Sequence, residues 1–247
     1  MSKISETGHA VNVANMVQLN AYVITFGADY NPSKESIKSP ALQLLTTNAQ
    51  AANNTVNAAL STYTSAVEER KTAFKPIAAL SSRVLSALKA SDSTELTDEN
   101  AHTLVRKIKG ERATPITPAT NAALPAEEPK KQISASQMGF TNRIDNLDKY
   151  INLLENTPEY APNEIELKVV TLKTVKSNLI SIDNTALNAD VALSTARLER
   201  NEILYKTDTG LVDTAQSVKN YIKSLYGITS PQFKQVSNLT FSKPKKI

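Results

Sequence analysis

The chain has 247 residues, a formal net charge of +4, 40% hydrophobic residues, and neither Cys nor Trp. That length admits one large domain or two of about 120 residues, and the lack of Cys excludes disulfides and thiolate chemistry. Six Gly and 5% aromatics argue against an all-β fold, which needs many tight turns. A core of Leu, Val, Ile and Ala suits closely approaching helices instead.

Residues 1–8 are polar and carry no apolar stretch of the kind an export signal needs. No apolar run reaches the roughly 18–20 residues of a membrane span, so the expectation is a soluble cytoplasmic protein with a flexible N-terminus. A first short helix, A1, is expected from His9 to Phe26, packing through Ala14, Val17, Ala21 and Ile24 and stopped by Gly27. Tyr30-Asn-Pro-Ser33 is turn chemistry. A long helix, B1, starts between Ser33 and Ser39, takes Pro40 into its first turn and runs to about Lys75. Its apolar positions are 42, 45, 49, 52, 56, 59, 63 and 66, alternating steps of three and four, the rhythm of a seam packed along another helix. Helix C1, Ile77–Ala90, presents Ile77, Leu80, Val84 and Leu88, and a shorter helix D1 covers Thr97–Lys109 before Gly110. Residues 111–135, with Pro115, Pro118, Pro125 and Pro129 and no apolar period, read as a linker.

Helix A2 is expected from Phe140 to Asn156, with Phe140, Ile144, Leu147, Ile151 and Leu154 on one face. Asn163, followed three residues on by Glu166, is the expected N-cap of the next long helix, B2, which runs to about Lys206. A tight turn at Thr207-Asp-Thr-Gly210 leads into C2, Leu211–Tyr226, closed by Gly227. Ser230–Phe241 is a reduced D helix, and residues 242–247 form a basic tail.

The two long helices repeat one another. A shift of 130 residues lays Leu42–Phe74 over Leu172–Leu204 without a gap, matching Leu42, Asn48, Asn54, Thr55, Ala59, Ala66, Glu69 and Arg70 to identical residues. The predicted fold is therefore all-α, a helical bundle with two tandem copies of a unit (short A, long B, short C, minor D). Copy one covers 9–110 and copy two 136–241. Each long helix needs apolar cover along its length, and its sister copy is one source of it.

Four residues recur as candidate interaction or register-setting positions: Glu69 and Arg70, and their counterparts Glu199 and Arg200. Both arginines fall where the seam calls for an apolar residue. A long Arg at a bundle end is expected to snorkel and pair locally, and a polar seam residue can set register. Asn48, Asn178, Asn54 and Asn184 invite the same register-setting reading. Glu-x-x-His occurs at Glu6–His9 and Glu99–His102, but a carboxylate di-metal site needs such motifs on long inward-facing helices. Glu6–His9 is expected to precede A1, and Glu99–His102 lies on a short polar helix. No metal site or cofactor is predicted. His102 is the one expected helix-borne general base, and neither a nucleophile elbow nor a Gly-rich phosphate loop accompanies it, so an enzyme is not expected. Arg106, Lys107, Lys109 and Arg112 form a basic cluster, with Lys130-Lys131 and Lys243–Lys246 beyond it. They are candidate anion contacts, which would bind nucleic acid independently of sequence, or cations favoured at a helix C-terminus.

Several segments carry a resemblance. Gly8-His-Ala10, Asn12-Val-Ala-Asn15, Tyr30-Asn-Pro-Ser-Lys34, Phe74-Lys-Pro76, Val105-Arg-Lys-Ile-Lys-Gly110 and Ser136-Gln-Met138 are followed by Tyr160-Ala-Pro-Asn-Glu164, Thr209-Gly-Leu-Val-Asp213, Tyr221-Ile-Lys-Ser-Leu225 and Ser230-Pro-Gln232. In this order they resemble a family of uncharacterised duplicated helical proteins widespread in Bacteroidetes. The resemblance covers most of the chain and implies the two-copy helical architecture. It implies no activity, and no catalytic residue is carried over from it. The expected function is structural or scaffolding, through helical faces that bind a protein partner or a second copy. Association with nucleic acid is the alternative, and membrane activity by helical rearrangement ranks third. No small-molecule substrate is evident.

Overall fold

The two runs of apolar residues at alternating three- and four-residue steps become the two longest helices. The computed structural model describes residues 7–111 and 139–244, and all regular structure among them is helical. The helices are α1 (Thr7–Thr25), α2 (Ser39–Phe74), α3 (Ile77–Lys89), α4 (Glu95–Lys109), α5 (Phe140–Glu155), α6 (Val169–Tyr205), α7 (Leu211–Tyr226) and α8 (Pro231–Ser237). The fold is an all-α helical bundle. Of the expected linker, residues 112–135 lie outside the described residues.

Helix ends follow local chemistry. Pro76, itself in the helical region, separates α2 from α3, so helices B and C of copy one are distinct. Thr94 caps α4 by accepting from the Thr97 amide at 3.3 Å, and Gly110, at φ 75, ends it in the left-handed conformation that favours glycine. Gly210 precedes α7 so tightly that a Cβ there would lie 2.6 Å from the backbone N and O of Lys206.

The start of α6 differs from expectation. Asn163 does not cap it: a one-turn 3-10 helix, Ile165–Leu167, intervenes, and α6 begins at Val169. A hydrogen bond from a residue ahead of Asn163 spans this segment. The Tyr160 hydroxyl donates to the Leu167 carbonyl at 2.7 Å and holds the segment in a tighter turn. Tyr30 does the same to the Ile37 carbonyl at 2.8 Å, ahead of α2 and beside the 3-10 turn Glu35–Ile37.

The chain divides into two compact units, one of residues 1–63 with 189–247, the other of residues 64–188. These bounds differ from those expected for two copies, 9–110 and 136–241, because α2 and α6 each contribute a part to both units. In the first unit α1 and α7 enclose a core that includes Met16, Leu19, Leu42, Leu204, Val218 and Ile222. There the α2 seam residue Val56 packs with Leu193 and Ala196 of α6. In the second unit α3, α4 and α5 bury Val84, Leu88, Val105, Ile108, Leu147 and Ile151 together with Leu172 and Leu179 of α6. Every seam position named for α2 is buried or half-buried.

Helix α1 turns a different face inward from the one expected. Asn12, Val13, Met16, Leu19, Asn20 and Val23 are buried, whereas Ala14, Val17, Ala21 and Ile24 are exposed. Both faces are apolar enough to satisfy a helical period, and the inner one pairs its two asparagines with larger side chains.

Three tyrosines buried in these cores set the response to alkali. Burial, with Glu164 nearby, pushes the Tyr160 phenol up to about 12. Burial raises Tyr30 and Tyr150 as well, with smaller contributions from Tyr221 on Tyr30 and from Tyr160 and Asp98 on Tyr150. An unfolded tyrosine ionises near 10. The neutral buried phenols therefore stabilise the fold fully below about pH 10, and that contribution is lost as pH rises through the folded values. Absorbance at 295 nm is expected to show these tyrosines ionising only together with loss of helical circular dichroism. Their hydroxyls differ in a second way: Tyr30 and Tyr160 donate to carbonyls, but the Tyr150 hydroxyl is buried without a partner. Tyr30→Phe and Tyr160→Phe should each cost about 1 kcal/mol in urea unfolding. Tyr150→Phe should cost nothing or stabilise.

Candidate interaction surface

The repeated arginines do not snorkel. In the second unit Arg70 reaches across from α2 to α6, where its Nη1 donates to Asp183 Oδ1 at 2.9 Å; the Asp183 side chain is 7% exposed. The same guanidinium lies 4.3 Å from the centre of the Phe140 ring, and Phe140 meets Phe74 edge-on at 4.8 Å. Arg143 completes the stack, 5.3 Å from the Phe74 ring and donating to the Phe74 carbonyl at 3.1 Å. Burial holds the Arg143 guanidinium below its ordinary pKa. This chain of cations and rings fastens the start of α5 to the end of α2. In the first unit Arg200 is among the most deeply buried side chains, 1% exposed, and donates to Asn201 Oδ1 at 3.1 Å. Glu69 and Glu199 are exposed, so neither Glu-Arg pair acts as a unit. Asn48, Asn54, Asn178 and Asn184 are exposed too, which removes the register-setting role considered for them.

A second polar cluster lies in the first unit. His9, buried within α1 rather than ahead of it, has its Nδ1 2.7 Å from the Tyr205 hydroxyl. Asn12 donates to that hydroxyl at 3.2 Å and to the Ser242 carbonyl at 2.8 Å, while the Ser242 amide donates back to Asn12 Oδ1 at 3.0 Å. Asn15 donates to the Thr240 carbonyl at 2.7 Å. Two asparagines thus bind the extended C-terminal segment through its main chain, and Lys243 pairs with Asp213 at 2.7 Å. His9 is consequently a second helix-borne histidine beside His102.

The remaining candidates are open surfaces. Arg106, Lys107 and Lys109 are half-buried in the last turn of α4, and Lys109 is paired with Glu111 at 2.6 Å. Arg112, Lys130, Lys131 and Lys245–Lys246 lie outside the described residues. His102 is exposed beside a cleft of about 680 Å³ lined also by Lys89, Glu95, Asp98 and Glu99. Among the described residues no group of three or more His, Asp or Glu is placed to hold a metal ion. Glu6 lies outside the described residues, and His9 and His102 belong to different units. A cleft of about 560 Å³ runs between Arg83 and Ser86 of α3, with Ala90 just past its end, and the Glu159–Glu164 loop. No helix among the described residues is long and apolar enough to cross a membrane.

The outward face of α1 stands apart from these. Ala10, Ala14 and Ala21 are exposed, as are Val11 at 45%, Val17 at 38% and Ile24 at 57%. No Asp, Glu, Lys or Arg occurs anywhere in Thr7–Thr25. Helix α5 provides the comparison. Met16, Leu19, Asn20 and Val23 correspond in burial to Leu147, Tyr150, Ile151 and Leu154, each 131 residues on. On that register the outward positions Ala14, Val17, Ala21 and Ile24 answer to Asp145, Asp148, Asn152 and Glu155. On α5 the three acids are tied up in ion pairs with Lys149, Lys176 and Lys173. On α5 this face is charged, with Asp148 half-buried and two of the three pairs reaching Lys173 and Lys176 of α6; on α1, among the described residues, it is apolar and exposed. No family model, curated protein or solved structure matches the chain.

The Arg70–Asp183 pair allows a direct stability test. Arg70→Ala strands a buried carboxylate and should cost about 3 kcal/mol in urea unfolding. Adding Asp183→Leu removes the stranded charge, and the double variant should regain about 1 kcal/mol or more.

Proposed function

We propose that the chain is a non-enzymatic interaction protein, built from two tandem copies of one helical unit, that works through helical faces, with the outward face of α1 as its main contact surface. The observation that carries this reading is the uncharged apolar face of α1 in the register where α5 carries ion pairs. Exposed apolar surface in contiguous patches marks interaction sites on soluble proteins. Singly exposed residues such as Leu96 or Ile165 need no such account. The two-copy reading, and with it the resemblance to duplicated helical proteins of Bacteroidetes, rests on the matched seams of α2 and α6 and on the recurring Tyr30–Ile37 and Tyr160–Leu167 hydrogen bonds. Binding of nucleic acid through Arg106, Lys107 and Lys109 is the weaker reading, since all three are half-buried and one is already paired.

A photoreactive side chain placed at Val17 in the full chain, expressed in its native cell, is expected to give discrete protein adducts. The same group at Asp148, on the outward face of α5, is expected to give none. Absence of adducts at Val17, or equal adducts at both positions, would sink the reading.

A further inference from the structure

Resting on that reading, we propose that the outward face of α1 is covered by the same face of a second copy, the two helices running antiparallel about a two-fold axis at Val17. The first argument is spacing. Ala10, Ala14, Val17, Ala21 and Ile24 follow one another at steps of four, three, four and three, the rhythm by which one helix seats its side chains along another. The same rhythm in α2 and α6 lies along buried seams. In α1 it faces out, beside a second set of residues that already fills the core.

The second argument is self-complementarity. A two-fold contact brings each residue against its mirror position. With the axis at Val17, Ile24 falls opposite Ala10 of the second copy, each seven residues from the axis. Large thus meets small at both ends, and the valines meet at the centre with the small Ala14 and Ala21 beside them. Sequences that pack well interleave large and small side chains across the contact.

The third argument is charge. A two-fold contact brings identical groups together, so a helix face bearing net charge repels its own copy. With no charged residue in its 19 positions, α1 escapes that penalty. The other exposed apolar pair on one helix of this unit, Val191 and Leu198, is flanked by the charged neighbours Asp190, Arg197 and Glu199, which a two-fold contact there would bring to its margins.

Size sets the strength. A strip about 28 Å long and about 10 Å wide offers on the order of 300 Å² per partner, against about 800 Å² in stable complexes. The pairing is therefore weak and concentration-dependent.

The Cys-free sequence makes the test direct. Sedimentation velocity of the full chain from about 1 to about 500 µM should show a monomer passing into a dimer. Val17→Asp, which installs the residue α5 carries, should weaken association roughly tenfold or more with an unchanged thermal melt. A short bismaleimide should link Val17→Cys chains to each other. It should not link Ile24→Cys chains to each other, because the antiparallel arrangement separates those positions by about 21 Å. A mixture of Ala10→Cys and Ile24→Cys chains should link. A chain that stays monomeric at the highest concentration, a dimer indifferent to Val17→Asp, or efficient Ile24→Cys self-linking overturns the proposal. If the chain is monomeric yet the photoreactive group at Val17 captures another protein, pairing with a second copy fails while the interaction reading stands. Binding of neutral phosphatidylcholine vesicles, abolished by Val17→Asp in a monomeric chain, would overturn both.

Discussion

The constraint on which everything else depends is the need to cover the seams of two very long helices. At 36 and 37 residues, α2 and α6 are each about 55 Å long, while the helices around them have 7 to 19 residues. No neighbour of that length buries such a seam alone. Small residues at Ala49, Ala66, Ala189 and Ala196, all buried, let opposing backbones come close, and closeness is where dispersion and hydrophobic burial are largest. Each compact unit therefore recruits a stretch of both long helices, and its boundaries cut through α2 and α6 instead of following the two expected copies.

Polar groups inside this frame act as fasteners. Taking Arg70 and Asp183 out of water costs several kcal/mol, a cost offset only because the guanidinium is engaged twice, by a carboxylate along its edge and an aromatic ring on its face. Losing the guanidinium leaves the Asp183 carboxylate buried and uncompensated. Such pairs contribute less to net stability than to fixing which residues meet, and the Phe140–Phe74 contact beside them sets where α5 begins relative to the end of α2. Asn12 does comparable work in the other unit, presenting a donor and an acceptor to one residue of the C-terminal segment as a neighbouring strand would.

Much of this was legible in the sequence, for physical reasons. The seam of α2 was readable because mostly polar residues surround it, so the three-four rhythm has one solution. The seam of α6 followed by its match to α2, despite the exposed Ile180, Leu187, Val191 and Leu198. Gly110 and Gly227 announced the ends of α4 and α7 because their positive φ favours glycine. Three features were not legible. Asn163 has a good capping side chain, but a hydrogen bond from Tyr160 to a carbonyl seven residues away overrules it. The partners of Arg70 lie 113 residues along the chain in one case and on another helix in the other, beyond any local pattern. In α1 the rhythm had two solutions, because inner and outer faces are both apolar. Periodicity chose the outer one, and the two core-facing asparagines made the true inner face look polar.

That ambiguity is itself informative. Met16 and Leu147 are 131 residues apart, yet Tyr30 and Tyr160 are 130 apart. Four residues separate each helix from its tyrosine, so the extra residue lies within α1, between Met16 and Thr25. One residue turns the chain by about 100° at the helix end, and from that end the 3-10 turn Gly27–Asp29, with Gly27 at φ 57, leads into Tyr30, while the buried face of α1 matches that of α5. From α1 the core of the first unit takes Val13, Met16, Leu19 and Val23, with Tyr22 and Phe26 packed against it. Among the described residues the outward side chains of α1 stay exposed, where solvation alone would favour a charged pattern such as that of α5. The contact surface proposed for α1 rests on this contrast between an uncharged apolar stripe and the charged face at the same register of α5.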